Sequence, residues 1–67
     1  MEILEFTSGI LAMYVSSMGR MIPAGTAVNI YRIQSGKDLR VLVAATSGDF
    51  KPVNLPYYGT SERTLLV

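Results

Sequence analysis

The chain has 67 residues, of which six are basic and five acidic, so its formal net charge is +1. It contains neither cysteine nor histidine. This excludes disulfide bonds, zinc sites of the usual Cys/His type and catalysis by a nucleophile paired with histidine. A chain of this length makes one domain, residues 1–67, near the lower limit at which a hydrophobic core alone stabilises a fold. We therefore expect a protein with no catalytic activity, no metal and no cofactor.

The apolar content is high for so small a protein. Hydrophobic residues make up 49% of the chain and charged residues 16%, against roughly 25% charged residues in an average soluble domain. A small globule has too much surface to bury this many apolar side chains within one subunit. We expect protein partners, either further copies in a homo-oligomer or a larger assembly to which the chain adds a subunit, such as a viral particle.

The N-terminal third is ambiguous between strand and helix. Residues 2–6 alternate imperfectly, with Ile3 and Leu4 adjacent, which predicts a short first strand, and residues 7–9 predict a turn. Residues 10–15 fit a second strand, but apolar residues also recur at helical spacing between positions 3 and 18. We favour strands, because Gly9 would weaken a helix.

The clearest pattern is a β-hairpin over residues 27–45. Two runs rich in β-branched residues flank Ser35 and Gly36, a turn signal typical of hairpins. A two-residue loop at these positions predicts the opposed pairs Ile30 with Val41, Val28 with Val43, and Tyr31 with Arg40. A four-residue loop would shift the partners but leave the faces unchanged. The side chains predicted on the core face are Val28, Ile30, Leu39, Val41 and Val43, and those on the opposite face are Asn29, Tyr31, Arg40 and Leu42.

Shorter elements flank this hairpin. Before it, residues 16–19 predict a loop, and residues 20–22 a short extended piece that ends at Pro23 and Gly25. After it, residues 46–49 predict a turn. Residues 50–55 carry a proline, which cannot donate to a sheet ladder, so we expect an edge strand or a connector. Residues 57–61 predict a further turn and residues 63–67 a short apolar strand.

About five short strands at close spacing predict a small, all-β or β-rich antiparallel barrel or rolled sheet. From Gly25 onward the pattern resembles that of SH3-like small barrels, in which a Gly-Thr turn leads into a hairpin and a proline-bearing strand. The resemblance covers about half of the chain and implies a fold but no function. The alternative is an N-terminal helix packed on a three- to four-stranded sheet.

Several apolar side chains are candidates for a protein interface. The predicted outer side of the hairpin is too apolar for a surface that only meets water, a tyrosine pair follows Pro56, and the chain ends on apolar residues. Tyrosine offers a large contact area with few rotatable bonds. The predicted interface residues are Tyr31, Ile33, Leu42, Tyr57, Tyr58, Leu65, Leu66 and Val67.

Two other functions remain open at this point. A nucleic-acid-binding barrel would combine an aromatic side chain with basic ones, and the candidate residues are Tyr31, Arg32, Lys37 and Arg40. The nearly balanced charge makes nucleic acid the less favoured partner. A small regulator or inhibitor would dock through an edge strand, for which residues 50–55 or 65–67 are available.

The sequence contains no pattern that predicts insertion into a membrane or secretion. Residues 10–22 form the longest apolar stretch, but Ser16, Ser17, Gly19 and Arg20 interrupt it, and it is shorter than the roughly 20 residues that a span requires. The N-terminus has no basic region of the kind that opens a signal peptide. We expect a protein of the cytoplasm or of a particle, with no membrane span.

Overall fold

A computed structural model describes residues 1–57 and 62–67. All paired strands are antiparallel, and the described residues form no α-helix, which confirms the all-β prediction and rules out the N-terminal helix. The elements are β1 (Glu2–Ile10), β2 (Val15–Ser17), β3 (Arg20–Ile22), β4 (Ala27–Ser35), β5 (Asp38–Ala45), β6 (Val53–Pro56) and a 3-10 helix (Glu62–Leu65).

The strands form two sheets that enclose one core. The larger sheet has the order β1-β4-β5-β6, and the smaller one consists of β2 and β3. One face of the larger sheet, the inner face, packs against the smaller sheet, and Leu65 and Leu66 at the C-terminus pack against the same cluster. The buried core residues are Leu11, Val15, Ile22, Val28, Ile30, Val41, Val43 and Val53.

The hairpin of β4 and β5 confirms the predicted faces but corrects the predicted register. Ser35 pairs with Asp38, so the loop consists of Gly36 and Lys37, and every predicted pair is displaced by two residues. Gly36 has φ of +62°, and glycine at the first loop position is typical of the type II′ turn that suits twisted strands. The observed pairs are Ile30 with Val43, Val28 with Ala45, and Tyr31 with Leu42.

The N-terminal segment differs most from the sequence prediction. Strand β1 continues through the predicted turn at residues 7–9, because each of these residues pairs with β4 and the Ser8 hydroxyl donates to Asn29 Oδ1 at 2.9 Å. Gly9 permits a close approach of Leu66, since a Cβ at this position would lie 2.9 Å from Leu66 Cδ1 and the leucine side chain would have to move. The predicted strand at residues 10–15 is wrong, because the chain bends after Leu11.

The next two segments form a second hairpin. The predicted loop at residues 16–19 is shorter than expected, since Ser16 and Ser17 belong to β2 and only Met18 and Gly19 form the turn to β3. Both turn residues have positive φ, 57° and 76°, the conformation of a type I′ turn. The predicted extended piece at residues 20–22 is confirmed as β3.

The C-terminal half combines confirmed and corrected predictions. The turn after Ala45 is present, and the proline-bearing segment forms the edge strand β6. The predicted strand at residues 63–67 is wrong: a 3-10 helix precedes a single bridge between Leu66 and Leu11. The Val67 amide donates to the Ile10 carbonyl at 2.8 Å, which holds this segment against the end of β1. The predicted turn at residues 57–61 lies mostly outside the described residues.

Candidate interaction interface

The face of the larger sheet that points away from the core, which we call the outer face, carries five rows of side chains. Residues directly opposite one another in an antiparallel sheet lie on the same face, so the strand register defines the rows. They are Ser35 and Asp38; then Ile3, Ile33, Arg40 and Pro56; then Phe6, Tyr31, Leu42 and Asn54; then Ser8, Asn29 and Ala44; then Ile10 and Ala27.

An irregularity in β1 brings its apolar residues onto this face. Successive side chains of a regular strand alternate between faces, so Ile3 and Phe6 would point in opposite directions. The register shifts between Ile3 and Glu5, and the extra residue, Leu4, makes a β-bulge that restores both side chains to one face. The adjacency of Ile3 and Leu4 was the sequence signal of this bulge, and sequence reasoning did not place either Ile3 or Phe6 at an interface.

The outer face combines exposed and half-buried apolar side chains. Ile3 is 61% exposed and Phe6 55% exposed, while Tyr31 and Leu42 are half-buried. The rings of Phe6 and Tyr31 pack with centroids 5.1 Å apart and an interplanar angle of 59°. Ile33, which was predicted at the interface, is only 5% exposed and contributes little to the accessible surface.

The polar side chains of the outer face bond to one another. Ser8 donates to Asn29, and Arg40 Nε donates to Asn54 Oδ1 at 2.8 Å. The charged residues of the five rows are Arg40 and Asp38, one of each sign. The predicted pairing of Tyr31 with Arg40 rested on the displaced register and is wrong, because Tyr31 lies opposite Leu42.

Arg32 lies on the inner face, on the opposite side of β4 from Tyr31. Its guanidinium forms an ion pair with Glu5 and lies 5.1 Å from the centre of the Tyr57 ring, close enough for a cation–π contact. Lys37 lies in the hairpin turn. The residues predicted for nucleic-acid binding are therefore divided between the two faces and the tip of the hairpin.

The remaining predicted interface residues lie away from the outer face. Tyr57, Leu65 and Leu66 pack against the core of their own chain. Val67 is 92% exposed at the C-terminus, and Tyr58 lies outside the described residues. Within the part of the interface prediction that the structure describes, Tyr31 and Leu42 are the accessible residues that share one surface with Ile3 and Phe6.

Two hollows lie elsewhere on the surface of the described residues. A hollow of about 300 Å³ lies between residues 7–9 and the C-terminal segment, and one of about 350 Å³ lies between the β2–β3 turn and β6. No group of three or more acidic, histidine or cysteine side chains suited to a metal occurs among residues 1–57 and 62–67. In the same residues, no helix has the length and apolarity needed to cross a bilayer.

Comparison with known proteins adds no functional assignment. We found no protein-family model, curated protein or solved structure that matches this chain.

Proposed function

We propose that this chain is a non-enzymatic protein that acts by assembling with other protein subunits, and that the outer face is its contact surface. The observation that carries the proposal is the row of Phe6, Tyr31 and Leu42 across three neighbouring strands, with more than half of the Phe6 side chain exposed. An apolar row of this kind on a regular sheet is typical of a surface that a second protein covers.

The energetics of the face favour coverage by protein. Removing apolar surface from water stabilises the covered state by about 25 cal/mol per Å². The aromatic pair of Phe6 and Tyr31 is already packed, so few rotatable bonds would be fixed on binding. The hydrogen bonds from Ser8 to Asn29 and from Arg40 to Asn54 reduce the cost of removing these polar atoms from water.

The composition of the whole chain supports the same function. The smaller sheet and the C-terminal segment of the same chain cover the inner face. Among the described elements, none covers the apolar residues of the outer face in the same way. An accessory subunit of a larger assembly, such as a viral particle, is the setting that suits a chain of this size and apolarity.

Photo-crosslinking tests this proposal in cells that produce the protein. Phe6 is replaced by the photo-reactive residue p-benzoylphenylalanine, and the matched control carries the same residue at Met13, which is also 55% exposed but lies outside the larger sheet. We expect discrete protein adducts from position 6 and few from position 13, because a contact surface holds its partner near the reactive group. Equal labelling at both positions, or no adduct at position 6, would contradict the proposal.

A further inference from the structure

We infer that the occupant of the outer face is a second copy of this chain, packed outer face to outer face about a two-fold axis. This inference rests on the proposed function, and it specifies the partner that the function leaves open. Three properties of the face support it: its twist, its area and its charge.

The shape of the face suits an identical sheet. Strands in a sheet are twisted in one direction, so a flat or oppositely curved partner cannot follow the surface over its full length. Two sheets with the same twist pack face to face about 10 Å apart with their strands inclined by about 30°. A second copy supplies the same four strands with the same twist, and a two-fold axis makes the contact closed and self-complementary.

The size of the face approaches what a small stable dimer needs. Strands β1, β4 and β5 have eight or nine residues, which corresponds to a length of about 30 Å, and four strands span roughly 19 Å. The resulting flat area of roughly 500 Å² underestimates the accessible surface, because the side chains project from it. Interfaces of standard size bury roughly 600 to 1,000 Å² from each partner.

The charge of the face favours a partner that is itself nearly uncharged. The five rows contain two charged side chains of opposite sign, Asp38 and Arg40, and the Nε of Arg40 already donates to Asn54. An acidic partner such as a nucleic acid would contact a single basic group on this face. The apolar face of a second copy would instead contact apolar surface like its own. The net charge of +1 means that two copies repel each other very little.

Pairing through the edges of the sheet is less favourable than pairing through the face. The bulge at Leu4 interrupts the free edge of β1, and Val67 occupies the Ile10 carbonyl at the other end of the same edge. The opposite edge strand, β6, has four residues and ends at Pro56. Bulges, short strands and prolines all limit the addition of a further strand. A strand added at either edge could therefore form only a short ladder of backbone hydrogen bonds.

Sedimentation equilibrium of the purified chain, at protein concentrations between about 1 and 100 µM, tests the inference. The dissociation constant of an interface of this size is expected to lie in this range. We expect the mass to rise from one chain, 7.3 kDa, to twice that value. Leu42→Lys should raise the dissociation constant at least about 100-fold, because an ammonium group would be buried in an apolar contact. Met13→Lys, the matched control, should change it less than about twofold.

Phe6→Lys provides a second variant in case Leu42→Lys does not fold, and circular dichroism and thermal unfolding check each protein. A wild-type chain that stays monomeric to about 100 µM would overturn the inference. A dimer that both folded lysine variants leave unchanged would overturn it as well, because the contact would lie elsewhere. If the monomer nevertheless gives adducts to a different protein from position 6 in cells, the proposed function stands and only the identity of the occupant is wrong.

Discussion

The two faces of the larger sheet are built from the same three long strands, yet they differ in what covers them. On the inner face, Val28, Ile30 and Val43 are at most 1% exposed, beneath the smaller sheet and the C-terminal segment. On the outer face, Ile3 and Phe6 keep more than half of their surface accessible. Both faces carry apolar side chains, and the remaining described elements of the chain cover only the inner face.

This difference distinguishes stability from assembly. Substitutions on the inner face remove contacts that exist in a single chain, and their effects should not depend on protein concentration. Substitutions on the outer face remove contacts that form fully only when two chains associate. Their effects should grow with protein concentration. Measuring the effect of each substitution at two protein concentrations can therefore distinguish the two faces.

The largest effect is expected from Ile30→Ala. Ile30 is fully buried, and truncation of such a residue costs about 2 to 5 kcal/mol, since it removes apolar contacts and leaves a cavity. Urea denaturation measures the loss in the free energy of unfolding. Leu42→Ala is the matched control on the outer face, and in a dilute monomeric sample it should cost less than about 1 kcal/mol. Equal losses for the two variants would mean that the faces are equally buried.

A smaller effect is expected from Phe6→Ala. The substitution removes the ring pair with Tyr31, and such pairs contribute about 0.5 to 1.5 kcal/mol beyond their buried area. In the wild-type protein the thermal midpoint should rise with concentration, and in Phe6→Ala this rise should be reduced. Calorimetry at two concentrations checks both statements, and a midpoint in the wild type that does not depend on concentration would count against association through this face.

The smallest effect is expected from Asn29→Ala. Its side chain accepts one hydrogen bond, from Ser8, at an exposed position, and such a bond contributes about 0.5 to 1 kcal/mol. Urea denaturation should accordingly show a loss well below that of Ile30→Ala. A loss as large as that of Ile30→Ala would mean that the inner and outer faces have been assigned in reverse.

The alternation of residues in the central hairpin was sufficient to predict its strands and its faces. Period-two alternation depends only on local chain geometry, so Val28, Ile30 and Val43 could be assigned to the core without knowledge of the rest of the fold. The register of the hairpin was harder to predict, because it depends on which residue occupies the first loop position. Gly36 takes that position with a positive φ, and the Ser-Gly pattern alone did not distinguish it from the second position.

The candidate interface was only partly predictable. Tyr31 and Leu42 were identified because they alternate with core residues on the same hairpin. Ile3 and Phe6 were missed, since their shared face requires the bulge at Leu4 and the pairing of β1 with β4. A turn was expected at residues 7–9, but the long-range ladder with β4 and the hydrogen bond from Ser8 to Asn29 hold this segment extended.

By itself, the sequence determined the all-β class, the central hairpin with its two faces, and the absence of cysteine and histidine chemistry. These properties follow from composition and from patterns of a few neighbouring residues. The tertiary structure decided the course of the N-terminal strand, the 3-10 conformation near the C-terminus and the choice of the face that the smaller sheet covers. Each of these depends on contacts between residues at least 17 positions apart, and local preference is too weak to outweigh such packing.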